Sequence, residues 1–434
     1  MLHRQLIGFV FLCGMDEVKR NDPYAVLRIA EFRNFQLSRF SLTFGIQLAE
    51  TILGWKVYEI THDKLALGLI GLSEALPFIL TALYSGHAAD TYNRYRIVRR
   101  TMFAMLLCFA GITALMFNDA QLLHTVGIWP IYFLIGCSGI ARAFMAPCLQ
   151  SIVPQILPRE LYANGATWGS NVWQTAAVTG PAAGGIIYGL LKTQYHNGAA
   201  EIASFSIALV LLGVSWYAFS RLKVRENPPK EKIETLLESL KGGLRFVFNK
   251  QEMLSAISLD LFAVLFGGAV ALLPVYASDI LHTGPAGLGL LRSAPFLGSV
   301  VMGLFLAFNP PTLNAGRNLL IAVTGFGLAT IGFAVSTSFA LSFVMLFLTG
   351  AFDNVSVVIR QTILQVMTPN HMRGRVSAVN QIFISSSNEI GAFESGLAAK
   401  IMNTVPSVIF GGCMTLVVVA TTYVLAPKMR KLKL

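Results

Sequence analysis

Apolar runs of about 20 residues recur along the whole of this 434-residue chain. No other feature narrows the possible folds so far. Twelve segments can be marked: 34–58, 66–90, 98–117, 126–149, 164–190, 200–220, 254–280, 286–308, 316–337, 339–366, 375–402 and 405–426. Each is long enough to cross roughly 30 Å of hydrocarbon at about 1.5 Å per residue. A backbone in lipid finds no water to bond with, so these segments are expected to be helices. Composition agrees. Hydrophobic residues make up 54% and charged residues 13%, and the mean hydropathy is +0.62. A soluble domain of this length could not bury so much apolar side chain.

The two halves of the chain echo each other. PCLQSIVPQILPRELYANG leads into GPAAGG, and IRQTILQVMTPNHMRGRVS leads into GAFESG. Gln150 is repeated at Gln361, Pro158 at Pro369 and Gly180 at Gly391, all at one offset. The pair Pro77–Phe78 returns as Pro295–Phe296 at a slightly different offset. A membrane half written twice in one direction places a substrate path between the halves. The expected fold is therefore an all-α membrane protein with twelve transmembrane helices in two six-helix, pseudo-symmetric bundles. The division is a cytoplasmic N-terminal segment 1–33, a bundle 34–220, a linker 221–253, a bundle 254–426 and a basic tail 427–434.

Lysine and arginine orient the segments. Arg94, Arg96, Arg99, Arg100, Arg159, Arg221, Lys223, Arg225, Lys241, Arg245, Arg317, Arg373 and Arg375 all fall on one side. The other side holds Lys64, Lys192 and little else. The basic side is expected to be cytoplasmic, with both termini. The net charge of +11 is then a topology signal, and nucleic-acid binding, which needs a solvated basic face, is not expected. The linker run IETLLESLKGGLRFVF has helical spacing and a basic rim, so an amphipathic helix along the inner membrane surface is expected. The apolar run near the N-terminus, LIGFVFLCG, is too short to span, and Met15 is a plausible true start. Cys13, Cys108, Cys137, Cys148 and Cys413 form no CxxC pair, and the seven histidines show no ligand spacing. Neither a disulfide framework, a metal site nor a cofactor is expected.

Two motifs carry more specific information. The turn GHAADTYNRYR places Gly86, Asp90, Arg94 and Arg96 in the pattern G-x-x-x-D-(R/K)-x-G-x-(R/K), with Thr91 and Asn93 as departures. Gly180, Pro181, Gly184 and Gly185 form GPxxGG within one segment, where proline and glycines let a membrane helix bend and pack closely. The first pattern resembles the cytoplasmic latch of the major facilitator superfamily. The second resembles its antiporter motif, although Thr167 and Ala176 stand where upstream glycines are usual. The run DNVSVVIRQTILQVMTPNHMRGRVSAVNQIFISSSNEIGAFESG is similar to one branch of the superfamily, as are YAVLRIAEFRNFQLSRF, GWKVYEIT and LGLIGLSEALPFIL. That branch holds the enterobactin exporter, macrolide efflux proteins and transmembrane secretion effectors. The resemblance implies the two-bundle fold, rocker-switch alternating access and export.

Ionisable side chains at membrane depth cost several kcal/mol unless paired or wet, so each marks a candidate site. Glu50, Asp353 and Glu389 each lie about 20 Å from the cytoplasmic end of their segments. Glu74 and Glu394 lie nearer the outer side. Arg142 and Arg360 sit about 10 Å above the inner surface, and Arg292 lies in the outer half. Glu50, Asp353 and Glu389 are expected to include a proton-carrying site, with Glu74, Glu394 and Arg360 in support. Burial raises a carboxylate pKa and a nearby arginine lowers it, so movement between two such settings can load and release a proton. Asp353 and Arg360 share a helical face, and a structural network between their helix and that of Glu389 is the alternative. Arg142 is assigned with Asp90 to an inward gate. Glu50 shows no evident partner. Phe44, Trp55, Trp168, Trp173, Phe262 and Phe266 could line a path for an apolar or aromatic substrate.

No nucleotide loop or catalytic triad is present, so an enzyme is not expected. The expected function is a secondary active transporter, a monomer in the plasma (inner) membrane among its lipids. It would exchange protons for a small amphipathic or aromatic compound such as a drug or siderophore. A lysophospholipid or metabolite facilitator is the rival within transport. A non-transporting sensor or secretion accessory is the rival from another class.

Overall fold

The computed structural model describes residues 22, 24–117, 123, 125–195, 198–223, 236–309, 311, 314–369 and 372–432. The N-terminal apolar run, Met15 and residues 224–235 of the linker lie outside them. The long helices are α1 (Ala30–Thr61), α2 (Lys64–Thr91), α3 (Arg94–Leu115), α4 (Trp129–Ile156), α5 (Tyr162–Gln194) and α6 (Ala199–Ser220). The linker contains α7 (Leu236–Phe248), and the second half then supplies α8 (Gln251–Phe266), α9 (Gly284–Phe308), α10 (Ala315–Val335), α11 (Phe339–Met367), α12 (Arg373–Met402) and α13 (Thr404–Leu425).

Among the described residues, nine helical stretches are long and apolar enough to cross a membrane. α1, α5 and α12 are as long or longer, at 32, 33 and 30 residues, but too polar to qualify. α1 carries Glu50, Lys56 and Glu59, α5 is rich in Asn, Gln, Ser and Thr, and α12 carries Glu389 and Glu394. α5 and α12 occupy equivalent places in the sequence echo, so the polarity is itself repeated.

Local chemistry sets the turns. His62 ends α1 in the left-handed region at φ 46°, and Asp63 caps α2 by accepting from the Leu65 N–H at 3.0 Å. The helix ends joined by this turn, by the α5–α6 connection and by the α12–α13 connection define one face of the molecule. The ends near α7 define the other, here termed the linker face. α7 docks through Gly243, where a Cβ would stand 2.8 Å from the Arg375 carbonyl oxygen. The C-terminal tail also docks. Residues Pro427–Arg430 form a helical turn that buries Met429 against the start of α10.

The repeat reappears as packing. α1 packs on α5 and α8 on α12; α2 packs on α4 and α9 on α11. Gly180 meets the Phe44 carbonyl of α1 as its counterpart Gly391 meets the Leu265 carbonyl of α8. The repeated prolines act alike: Pro77 of α2 is met by Gly136 of α4, and Pro295 of α9 by Gly350 of α11. Across the halves, α2 packs on α12 and α5 on α9.

Candidate functional site

A cavity of about 430 Å³ lies between the halves, walled by α1, α2 and α8–α12. Its existence depends on a break in α8. The helix stops at Phe266, Gly267 and Gly268 follow, and a 3₁₀ turn (Ala269–Leu272) leads to a π-turn at Tyr276–Ile280. A Cβ on Gly268 would stand 2.8 Å from Ser395 Oγ and 2.9 Å from the Gly391 carbonyl oxygen. Only glycine lets α12 approach the break so closely. Residues 267–271 thereby line the cavity.

Charge collects at this level. Arg142 of α4 is ion-paired with Glu74 of α2 and lies 3.7 Å from Glu50 of α1. Gly139 permits this, because a Cβ there would stand 2.6 Å from the Glu74 carbonyl oxygen. On its other side Glu50 accepts from Arg292 of α9 at 3.4 Å, and the same guanidinium donates to the Glu50 carbonyl at 3.1 Å. Glu50 thus joins an arginine from each half, whereas the sequence suggested no partner for it. Glu50, Arg292, Asp353 and Glu389 line the cavity. Glu389 stands within electrostatic reach of Glu74, Arg142 and Glu50. The helices bring these acids together from four separate segments.

The remaining predicted residues divide. Arg360 pairs with Asp260 of α8, both nearly excluded from solvent, so its described ion pair is not with Asp353. Asp353 lies two turns away and faces the cavity. Glu394 is not among the cavity residues. Arg142 departs from its assignment to a gate with Asp90. Its partner Glu74 stands some four turns up α2 from that residue, because α2 and α4 run parallel and pack closely at Gly139; the Asp90 side chain lies outside the described residues. Gly86 lies in the penultimate turn of α2, four residues before Asp90. Arg94 Nε donates to the Ala89 carbonyl at 2.9 Å, and Arg96 is exposed. Asn93, at the motif's usual glycine, caps α3 by accepting from the Arg96 N–H at 3.2 Å. In the GPxxGG motif, Gly180 and Gly184 seat α1 while Pro181 and Gly185 face α9.

Sequence reading missed two groups. Asp260 is an ionisable residue in an apolar run, so the depth criterion could have found it. On the face away from the linker, Lys56 pairs with Glu201 at 2.9 Å, Tyr188 donates to the same carboxylate at 2.9 Å, and Lys192 pairs with Glu59. The same face joins the halves: the Tyr58 hydroxyl donates to Asp279, Lys400 pairs with Asp63 at 3.0 Å, and Lys64 donates to Asn403 at 3.4 Å. Of the suggested aromatic residues, Trp173 meets cavity-lining Phe296 edge-on at 6.3 Å. Trp168 packs on Tyr24, and Trp55 lies under Lys192.

The fold, with its two like-packed halves, matches that of solved membrane carriers. A bacterial homologue of the iron transporter ferroportin, in an inward-facing state, superposes with a TM-score of 0.71 at 15% identity, covering 93% of this chain and 99% of that one. A bacterial homologue of the human lysosomal transporter Spinster, inward-facing and unoccupied, gives 0.70 at 15% identity, covering 92% and 98%. The fold is therefore that of the major facilitator transporters, which are membrane carriers and not enzymes. Residues 21–433 match the transmembrane secretion effector family, and the chain belongs to it. Among curated relatives, the enterobactin exporter EntS of Citrobacter koseri is 23% identical over 402 residues, 93% of each chain. That of Escherichia coli O1:K1 is 24% identical over 387 residues, 89% of each.

Proposed function

We propose that this protein is a proton-coupled exporter that moves a small amphipathic or aromatic compound by alternating access. The observation that carries the reading is the charge constellation at the cavity. Glu50 stands between an arginine from each half, with Glu389 and Asp353 exposed to the same space. Carboxylates held at membrane depth are costly, and a carrier that trades protons for cargo gives them a use. All twelve long segments span the membrane in this reading, as two bundles of six, α1–α6 and α8–α13. The linker face is cytoplasmic, as are both termini, and the chain works as a monomer because it holds both halves. The relatives' names support export and make siderophores and drugs the cargo classes to try first.

With this orientation the structure is closed outward, through Tyr58–Asp279, Asp63–Lys400 and the α5–α9 crossing. Glu50 and Glu389 exchange the proton, while Arg142 and Arg292 provide the alternative partners that release it. Asp90, Arg94 and Arg96 serve the cytoplasmic gate. The test is efflux from cells lacking their own exporters, loaded with lipophilic dyes, macrolides or catecholate siderophores. Glu50→Gln is expected to abolish proton-dependent efflux of whichever compound the wild type expels. Unchanged efflux would remove Glu50 from the mechanism.

A further inference from the structure

The carboxylates of Glu50, Glu74, Asp353 and Glu389 outnumber the guanidiniums of Arg142 and Arg292. The arginines are committed to Glu50 and Glu74. Neither Asp353 nor Glu389 makes a hydrogen bond or ion pair within the described residues, and both line the open space. Asp353 also borders a pouch of about 10 Å³ behind the cavity. There Ser356, 3% exposed, has a hydroxyl without a hydrogen-bond partner. A buried hydroxyl and two acids without a direct hydrogen-bond partner are groups that a ligand in the cavity can engage.

The walls beside these acids are aromatic. Phe296, Phe326 and Phe333 line the cavity, and Phe326 borders the pouch as well. Aromatic faces attract cations and repel anions, because the ring quadrupole is negative above the plane. Acids and rings therefore select the same sign of charge. The volume suits a drug-sized ligand.

The geometry points to an organic cation as the cargo: a lipophilic ammonium or phosphonium with aromatic groups, its charge held between Asp353 and Glu389 and its rings against Phe296 and Phe326. This deepens the transport reading and rests on it. Acidic compounds, catecholates among them, are disfavoured by the same charges. Competition between cargo and proton for the same carboxylates then supplies the exchange.

The test uses a pair of ions of one shape and opposite charge. Tetraphenylphosphonium and tetraphenylborate are titrated into purified full-length protein in detergent, followed by calorimetry. The phosphonium is expected to bind at least ~10-fold more tightly than the borate. Asp353→Asn with Glu389→Gln is expected to weaken the phosphonium at least ~10-fold, while Glu160→Gln, on an exposed turn, leaves it unchanged. Equal or tighter borate binding by the wild type overturns the inference and needs no variant. Full phosphonium affinity in the folded double variant overturns it too. Proton exchange driven by an acidic cargo, in protein that ignores the phosphonium, would refute the cation site and leave the transport reading intact. Phosphonium binding that depends on both acids, without exchange by any compound, would support the site and remove the transporter.

Discussion

Gly185 of α5 and Gly289 of α9 lie against each other so closely that a Cβ on either would stand 2.7 to 2.8 Å from the other's Cα. No real side chain fits that gap. The contact crosses between the halves near the face away from the linker, where it allows two helices to close as one wall. Gly185→Leu is expected to hold the halves apart there. Its signature is labelling of a Ser299→Cys cavity probe by an impermeant maleimide added from that face, at least ~10-fold faster than in the glycine parent. Equal labelling would mean that the crossing is not a gate.

The polar contacts of the same face should be weaker devices. Asp63 and Lys400 are half-exposed, and such pairs are worth about 0.2–1 kcal/mol. Asp63→Asn should therefore change the opening equilibrium by less than ~10-fold. Lys400→Gln, which leaves the Asp63 cap of α2 in place, should do the same. The cysteine-labelling rate reads both.

Asp260 and Arg360 present the opposite case. Both side chains are nearly excluded from solvent. Removing one partner of a buried pair leaves a bare charge at a cost of about 3–5 kcal/mol. Arg360→Met should lower the thermal unfolding midpoint clearly, and Asp260→Leu with Arg360→Met should recover most of the loss. A transport defect in that double variant, at restored stability, would assign Arg360 a role beyond structure.

Glu50 and Arg142 should separate folding from transport. Glu50→Gln keeps shape and leaves Arg142 paired with Glu74, so expression and stability should hold while exchange fails. Arg142→Gln strips Glu74 of its partner and should lower both. Size-exclusion profiles beside flux measurements distinguish the two.

Much of this was legible in the sequence because membrane burial leaves strong local marks. Apolar length marked the helices, and the offset between Gly180 and Gly391 marked equivalent packing sites. The depths of Glu50, Asp353 and Glu389 marked one shared level. What stayed hidden was pairing across segments. Arg142 reaches Glu74 rather than the Asp90 end of α2 because Gly139 fixes where α4 crosses, and crossing points are tertiary facts. The choice of Asp260 by Arg360, rather than Asp353 on its own helix, has the same origin. The break at Gly267–Gly268 was invisible because the apolar run continues through it.

The most direct measurement is counterflow in proteoliposomes of purified protein, with internal pH followed as cargo is added under an imposed proton gradient. The account predicts that a cargo of the right class drives protons across only in protein with Glu50 and Glu389 intact, and that Glu389→Gln ends the coupling. Cargo movement at the same rate with no proton movement, in wild type and Glu389→Gln alike, would contradict it.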